Sequence, residues 1–178
     1  MTLEALFRAL AKGTRGITAA CLGLSVLLFA ACLGALAAEI VLRYLFNHPL
    51  QNMSEGVIIA FIYVYLLGGA ALYARNEDIA LDYLFNKAGA KPRAIWLLAI
   101  YLGIALTMAV VLMETVKLML VQRGVLTPSL RLPLGVEHAA LALAAAVILY
   151  ASLVEAIGCW IWFRSGNRPR VNPDEEIR

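Results

Sequence analysis

The stretch V-I-I-A-F-I-Y-V-Y-L-L-G-G-A-A-L-Y-A, residues 57–74, decides the fold. It holds no charged side chain. As a helix it covers about 27 Å at 1.5 Å per residue, close to the roughly 30 Å of hydrocarbon in a bilayer. Lipid offers no partner for backbone N–H and C=O groups, so a lone apolar segment of this length spans as a helix. Three further stretches read the same way: Ile17–Ala38, Ala94–Met113 and Ala139–Phe163, of which only the last holds a charge, Glu155. The chain of 178 residues is 62% hydrophobic and 15% charged, which leaves connecting loops but no room for a soluble domain. The expected fold is an all-α integral membrane protein with four transmembrane helices plus a short N-terminal amphipathic interfacial helix.

Outward from these stretches, the spans are expected at about 17–46, 54–75, 93–122 and 136–163. Before the first, Leu3, Leu6, Phe7 and Leu10 recur at helical spacing opposite Glu4, Arg8 and Lys12. Residues 1–16 therefore read as an interfacial amphipathic helix, with Gly13 and Gly16 allowing a bend into the membrane. A secretory signal peptide is the competing reading, since Ala35-Leu36-Ala37 resembles a cleavage site. The apolar run is too long for one and continues through Ile40, Val41 and Leu42. Residues 164–178, with two prolines and Asp174-Glu175-Glu176, read as a disordered cytoplasmic tail.

Basic residues give the orientation. Arg8, Lys12 and Arg15, then Arg75, Lys87, Lys91 and Arg93, then Arg164, Arg168, Arg170 and Arg178 fall on one side. Arg43, Lys117, Arg123 and Arg131 fall on the other. The positive-inside rule places both termini in the cytoplasm. Small residues (Ala30, Gly34 and Ala38 in the first span, Gly68 to Ala71 in the second, the alanine run opening the fourth) mark faces for close helix contact, within the bundle or against another protein. Glu39 and Arg43, four apart, are placed to pair; that pair either satisfies itself at the interface or has a direct role.

Several chemistries lack their residues. His48 and His138 lie at span ends, not where axial haem ligands must project. Cys21, Cys32 and Cys159 form no C-x-x-C and no Cys/His cluster, and read as buried small hydrophobes. No catalytic, cofactor-binding or metal site is expected. Glu155 is the one acidic group within a span, which leaves a stand-alone, homo-oligomeric small transporter or channel as the alternative. No internal repeat or proline-broken span supports a transporter acting alone. The chain reads as a helper.

Between Glu39 and Asp82 the sequence becomes specific. E-I-V-L-R-Y-L-F-N-H-P-L, then Ser54-Glu55, then L-L-G-G-A-A-L-Y-A-R-N-E-D-I-A-L-D resembles the small permease subunit of TRAP transporters, the DctQ-type protein. Arg43, Tyr44, Phe46, Asn47, Pro49 and Leu50 match the family's first element, Ser54 and Glu55 its second, Gly69 to Ala71 its third. Arg75, Ile79 and Asp82 match its fourth. Thr127-Pro128-Ser129-Leu130 with Leu132-Pro133 is similar to its outer loop. Met53 stands where the family usually has Trp, and Asp78 where it usually has His.

The resemblance implies a subunit of a tripartite, sodium-coupled importer of carboxylates or sugar acids in the bacterial inner membrane. Its partners would be a large multi-span permease subunit, which would hold the sodium ions, a periplasmic substrate-binding protein, and membrane lipids. The small subunit would be a scaffold, not an enzyme. Under that resemblance Glu39, Arg43, Tyr44 and Asn47, with Pro49, fix the outer end of the first helix. Ser54 and Glu55 cap the second, Gly69 serves close packing, Arg75 and Asp82 shape the cytoplasmic loop, and Pro128 and Pro133 shape the outer one.

Overall fold

The computed structural model describes residues 3–46, 53–75 and 90–165. These form four α-helices: α1 (Leu3–Phe46), α2 (Met53–Ala74), α3 (Ala90–Val121) and α4 (Gly135–Ser165). Each is long and apolar enough to cross a membrane. The chain runs up α1, down α2, up α3 and down α4. The N-terminal turns of α1 and the last turns of α4 therefore share one end, and the 122–134 connection lies at the other, here called the hairpin end.

Helix α4 is the centre of the arrangement. It packs along α3, and also against α2 and α1, while α1 pairs chiefly with α2. In its most apolar window 39% of residues are buried, against 6% in α3, so α3 hangs on the outside and presents most of its circumference. Ala140, Ala144, Ala145, Ala151, Ser152 and Gly158 supply the contact faces of α4. Apolar neighbours gain nothing from leaving lipid, so close backbone approach and dispersion hold such helices together, and small side chains permit both.

The separate interfacial helix expected over residues 1–16 is not an element of its own. Helix α1 continues unbroken through Gly13 and Gly16 for 44 residues, about 66 Å. Its apolar face lies on α4: Phe7 and Ala11 are buried against Val154 and Ile161, with Leu10, Tyr150 and Ile157 packed beside them. The Tyr150 hydroxyl donates to the Leu10 carbonyl at 3.0 Å. Gly13 makes that possible, because a Cβ there would sit 2.9 Å from the Tyr150 oxygen. The glycine read as a bend is a place for a neighbour's side chain. Gly16 has nothing within 4 Å and is accommodated in the helix without bending it.

The packing stripe of α1 also differs from the sequence reading. Ala30, Gly34 and Ala38 are all exposed in this chain. The buried stripe is Ala11, Thr18, Ser25 and Cys32, seven residues apart, with half-buried Glu39 the next in register. It meets α4 at its start and α2 further along, where Ser25 lies opposite Gly68. Phe29 and Phe61 pack edge to face above that contact, with ring centroids 6.1 Å apart. In α2, Leu67, Ala70 and Ala71 are buried, as the small-residue stretch predicts, but Gly69 points into open space.

Candidate functional site

Ordered polar structure collects at the hairpin end. After α3 the chain forms a short antiparallel pair with a bridge between Leu126 and Pro133. The Thr127 N–H donates to the Leu132 carbonyl at 2.8 Å, the Leu132 N–H donates to the Thr127 hydroxyl at 3.1 Å, and the Leu134 N–H donates to the Val125 carbonyl at 3.0 Å. Thr127 is buried although it lies in a surface loop. Arg131 closes the tip with φ 51°, a left-handed conformation that costs a non-glycine residue about 1 kcal/mol. Proline cannot donate, and Pro133 joins the pair with its carbonyl side turned to α4, where it accepts from the Val136 N–H.

Glu55 holds this hairpin. From the first turn of α2 its Oε2 accepts the N–H groups of Ser129 and Leu130 at 2.8 and 2.9 Å. A charged acceptor on two adjacent donors is the stronger kind of hydrogen bond. The sequence reading made Glu55 a cap of its own helix. Its position near the positive end of α2 agrees with that, but its hydrogen bonds cross 74 and 75 residues to another loop. A second tie lies deeper, where the Tyr63 hydroxyl donates to the Val136 carbonyl at 2.6 Å. Together they fix α2 to the hairpin and to the start of α4.

The other expected residues divide as follows. Arg43 donates to Glu39 at 3.2 Å, the predicted pair. Tyr44 is exposed near the end of α1. Ser54 lies in the first turn of α2. Gly69 faces outward, and Arg75 is exposed in the turn after α2 at the opposite end. Pro128 and Pro133 sit in the hairpin and are exposed. Asn47, Pro49 and Asp82 lie outside the described residues, as does His48. Of the predicted set the structure brings together Glu55, Pro128 and Pro133, and separately Glu39 and Arg43.

Sequence reasoning missed the roles of Thr127 and Tyr63. Thr127 stands within the Thr-Pro-Ser-Leu stretch similar to the family's outer loop, and that likeness and a hydroxyl just before a turn were its signals. Tyr63 had none.

Elsewhere the polar side chains of the spans are largely spent on their own helices. Thr14, Ser25, Thr107, Thr115, Ser152 and Ser165 each donate to the carbonyl four residues back. Glu155 is half-buried towards the terminal end of α4 and is engaged by its surroundings. Among the described residues no group of three or more His, Cys, Asp or Glu is placed to hold a metal. Cys32 and Cys159 are buried and Cys21 half-buried, all as free thiols.

These observations define a multi-pass helical membrane protein whose ordered polar geometry lies at a helix end. Residues 32–161 match the family described as "Tripartite ATP-independent periplasmic transporters, DctQ component". The match covers well over half of the chain, which therefore belongs to the DctQ family, the small permease component of TRAP transporters. No curated protein matches the chain significantly.

Proposed function

We propose that this chain is the static scaffold subunit of a sodium-coupled importer of organic acids in the bacterial inner membrane. It pairs with a large permease subunit that carries the substrate and the sodium ions, and its hairpin end faces the periplasm and helps a substrate-binding protein dock. Both termini lie in the cytoplasm. The observation that carries this reading is where the polar groups are used. Within the spans, most serine and threonine hydroxyls turn back on their own backbone, while a carboxylate and a buried threonine stiffen a loop at one end. A rigid loop on an exposed end binds a partner without paying to be ordered first. Glu155, the centre of the alternative reading, is already engaged within the protein and adds no support for a coupling role.

The test is co-expression with the large permease subunit and the secreted binding protein that this reading expects to be encoded beside it. A tag on this chain should retain a large multi-span subunit through detergent purification. Liposomes holding both should take up labelled carboxylates or sugar acids only when the soluble binding protein and a sodium gradient are supplied. Uptake by this chain alone would overturn the scaffold reading.

A further inference from the structure

The tyrosines of the spans single out one face of α2. Tyr63 donates to the Val136 carbonyl and Tyr150 to the Leu10 carbonyl. Tyr73 and Tyr101 also have interactions within the protein, although the buried Tyr73 hydroxyl, near the end of α2, makes no hydrogen bond among the described residues. Tyr44 is exposed, but at a helix end, where interfacial water can satisfy its hydroxyl. Tyr65 differs from all of these. It is 84% exposed and makes no hydrogen bond among the described residues. It also stands ten residues from Glu55 on one side and ten from Arg75 on the other. At 1.5 Å per residue each charged flank is about 15 Å away, half the hydrocarbon thickness, and a phenol cannot reach that far to snorkel. A hydroxyl left there in lipid would keep an unsatisfied donor.

The surroundings of Tyr65 fit a helix rather than lipid. Ile58, Tyr65, Gly69 and Leu72 share one helical face, all exposed, and Gly69 has nothing within 4 Å. The far side of α2 is already occupied, with Leu67, Ala70 and Ala71 buried. We infer that this face docks on a transmembrane helix of the large permease subunit, with the Tyr65 hydroxyl donating to an acceptor of that helix at mid-membrane. Gly69 lets the two backbones approach one turn further along. The inference rests on the proposed scaffold function and deepens it by assigning the contact face. The occupant must be apolar, helical and present an acceptor at membrane depth, because only protein offers an acceptor there.

The experiment places photoreactive benzoylphenylalanine at position 65 in the co-expressed complex. Irradiation should give an adduct with the large subunit; adducts only with lipid, or only with a second copy of this chain, would overturn the inference. Tyr65→Phe removes the hydroxyl alone, and should make the large subunit leave the detergent-solubilised complex about threefold faster, the fold-change of an average interhelical hydrogen bond in a membrane. An unchanged rate would overturn the hydrogen bond. Since Tyr65 touches little in its own chain, the thermal midpoint of the isolated subunit should not move. If no large subunit co-purifies with the unmodified chain, the proposed function fails. If it co-purifies and position 65 never reaches it, only the contact face fails.

Discussion

Replacing Gly158 by alanine tests whether the first turns of α1 rest on α4. A Cβ at position 158 would lie 2.9 Å from Cε2 and 3.2 Å from Cζ of Phe7, well inside ordinary contact distance. Phe7 is 3% exposed and confined by Ala11, Val154 and Ile161, so its ring has little room to retreat. Overpacking of this kind costs about 1–3 kcal/mol. Alanine in place of a helical glycine returns about 1 kcal/mol through propensity. The net expectation is a loss of about 0–2 kcal/mol. Gly103→Ala is the control, since nothing lies within 4 Å of Gly103 in α3 and the propensity gain should appear alone. The two variants should therefore differ by about 1–3 kcal/mol, a gap in melting temperature on the order of 5 °C for a chain of this size. Thermal unfolding in one mild detergent, followed by the fluorescence of nearby Trp160 and Trp162, reads the gap. With Phe7→Ala already present the cost of Gly158→Ala should vanish, which a double-mutant cycle reports as coupling. If Gly158→Ala is as stabilising as Gly103→Ala and the coupling is zero, the N-terminal turns lie elsewhere, on the membrane surface for example.

Three further outcomes are expected. Glu55→Gln should weaken the grip on the hairpin, seen as faster hydrogen exchange at the Ser129 and Leu130 amides with the helices unchanged; equal protection would mean that the carboxylate does not hold the loop. Tyr63→Phe should lower stability by about 0.5–1.5 kcal/mol in thermal unfolding through loss of the bond to Val136, and a neutral result would count against that tie. Glu155→Gln should leave uptake by the full complex nearly unchanged, whereas near-total loss would restore the stand-alone transporter reading.

Much of the fold was readable because a membrane imposes a length. Residues 57–74 and their three counterparts announce spans without any knowledge of their neighbours. What was not readable concerns which neighbour meets which face. A glycine looks the same in sequence whether it bends a helix or admits a tyrosine, and Gly13 does the second. Ala30, Gly34 and Ala38 have the spacing of a packing stripe, yet the stripe used is Ala11, Thr18, Ser25 and Cys32. Its seven-residue repeat was hidden because two of its members are polar, and Ser25 is tolerated there only because its hydroxyl turns back to the Cys21 carbonyl. The role of Glu55 lay further out of reach, since its partners become neighbours only after α3 and α4 have formed. Sequence placed Glu55, Pro128 and Pro133 in one set by family resemblance, and the structure supplies the physical link between them.

The outlying position of α3 and the open flanks of α1 bear on how this protein survives in a cell. A subunit with so much unshared apolar surface has no fixed free energy of unfolding, because the solvating medium is part of its native state. Whatever covers those flanks stabilises the fold by mass action, by about 2.7 kcal/mol when present at a hundred times its dissociation constant. Under the proposed function, a copy made in excess of its partner would forgo that contribution. Matched synthesis of the subunits would then be a requirement of folding as well as of transport.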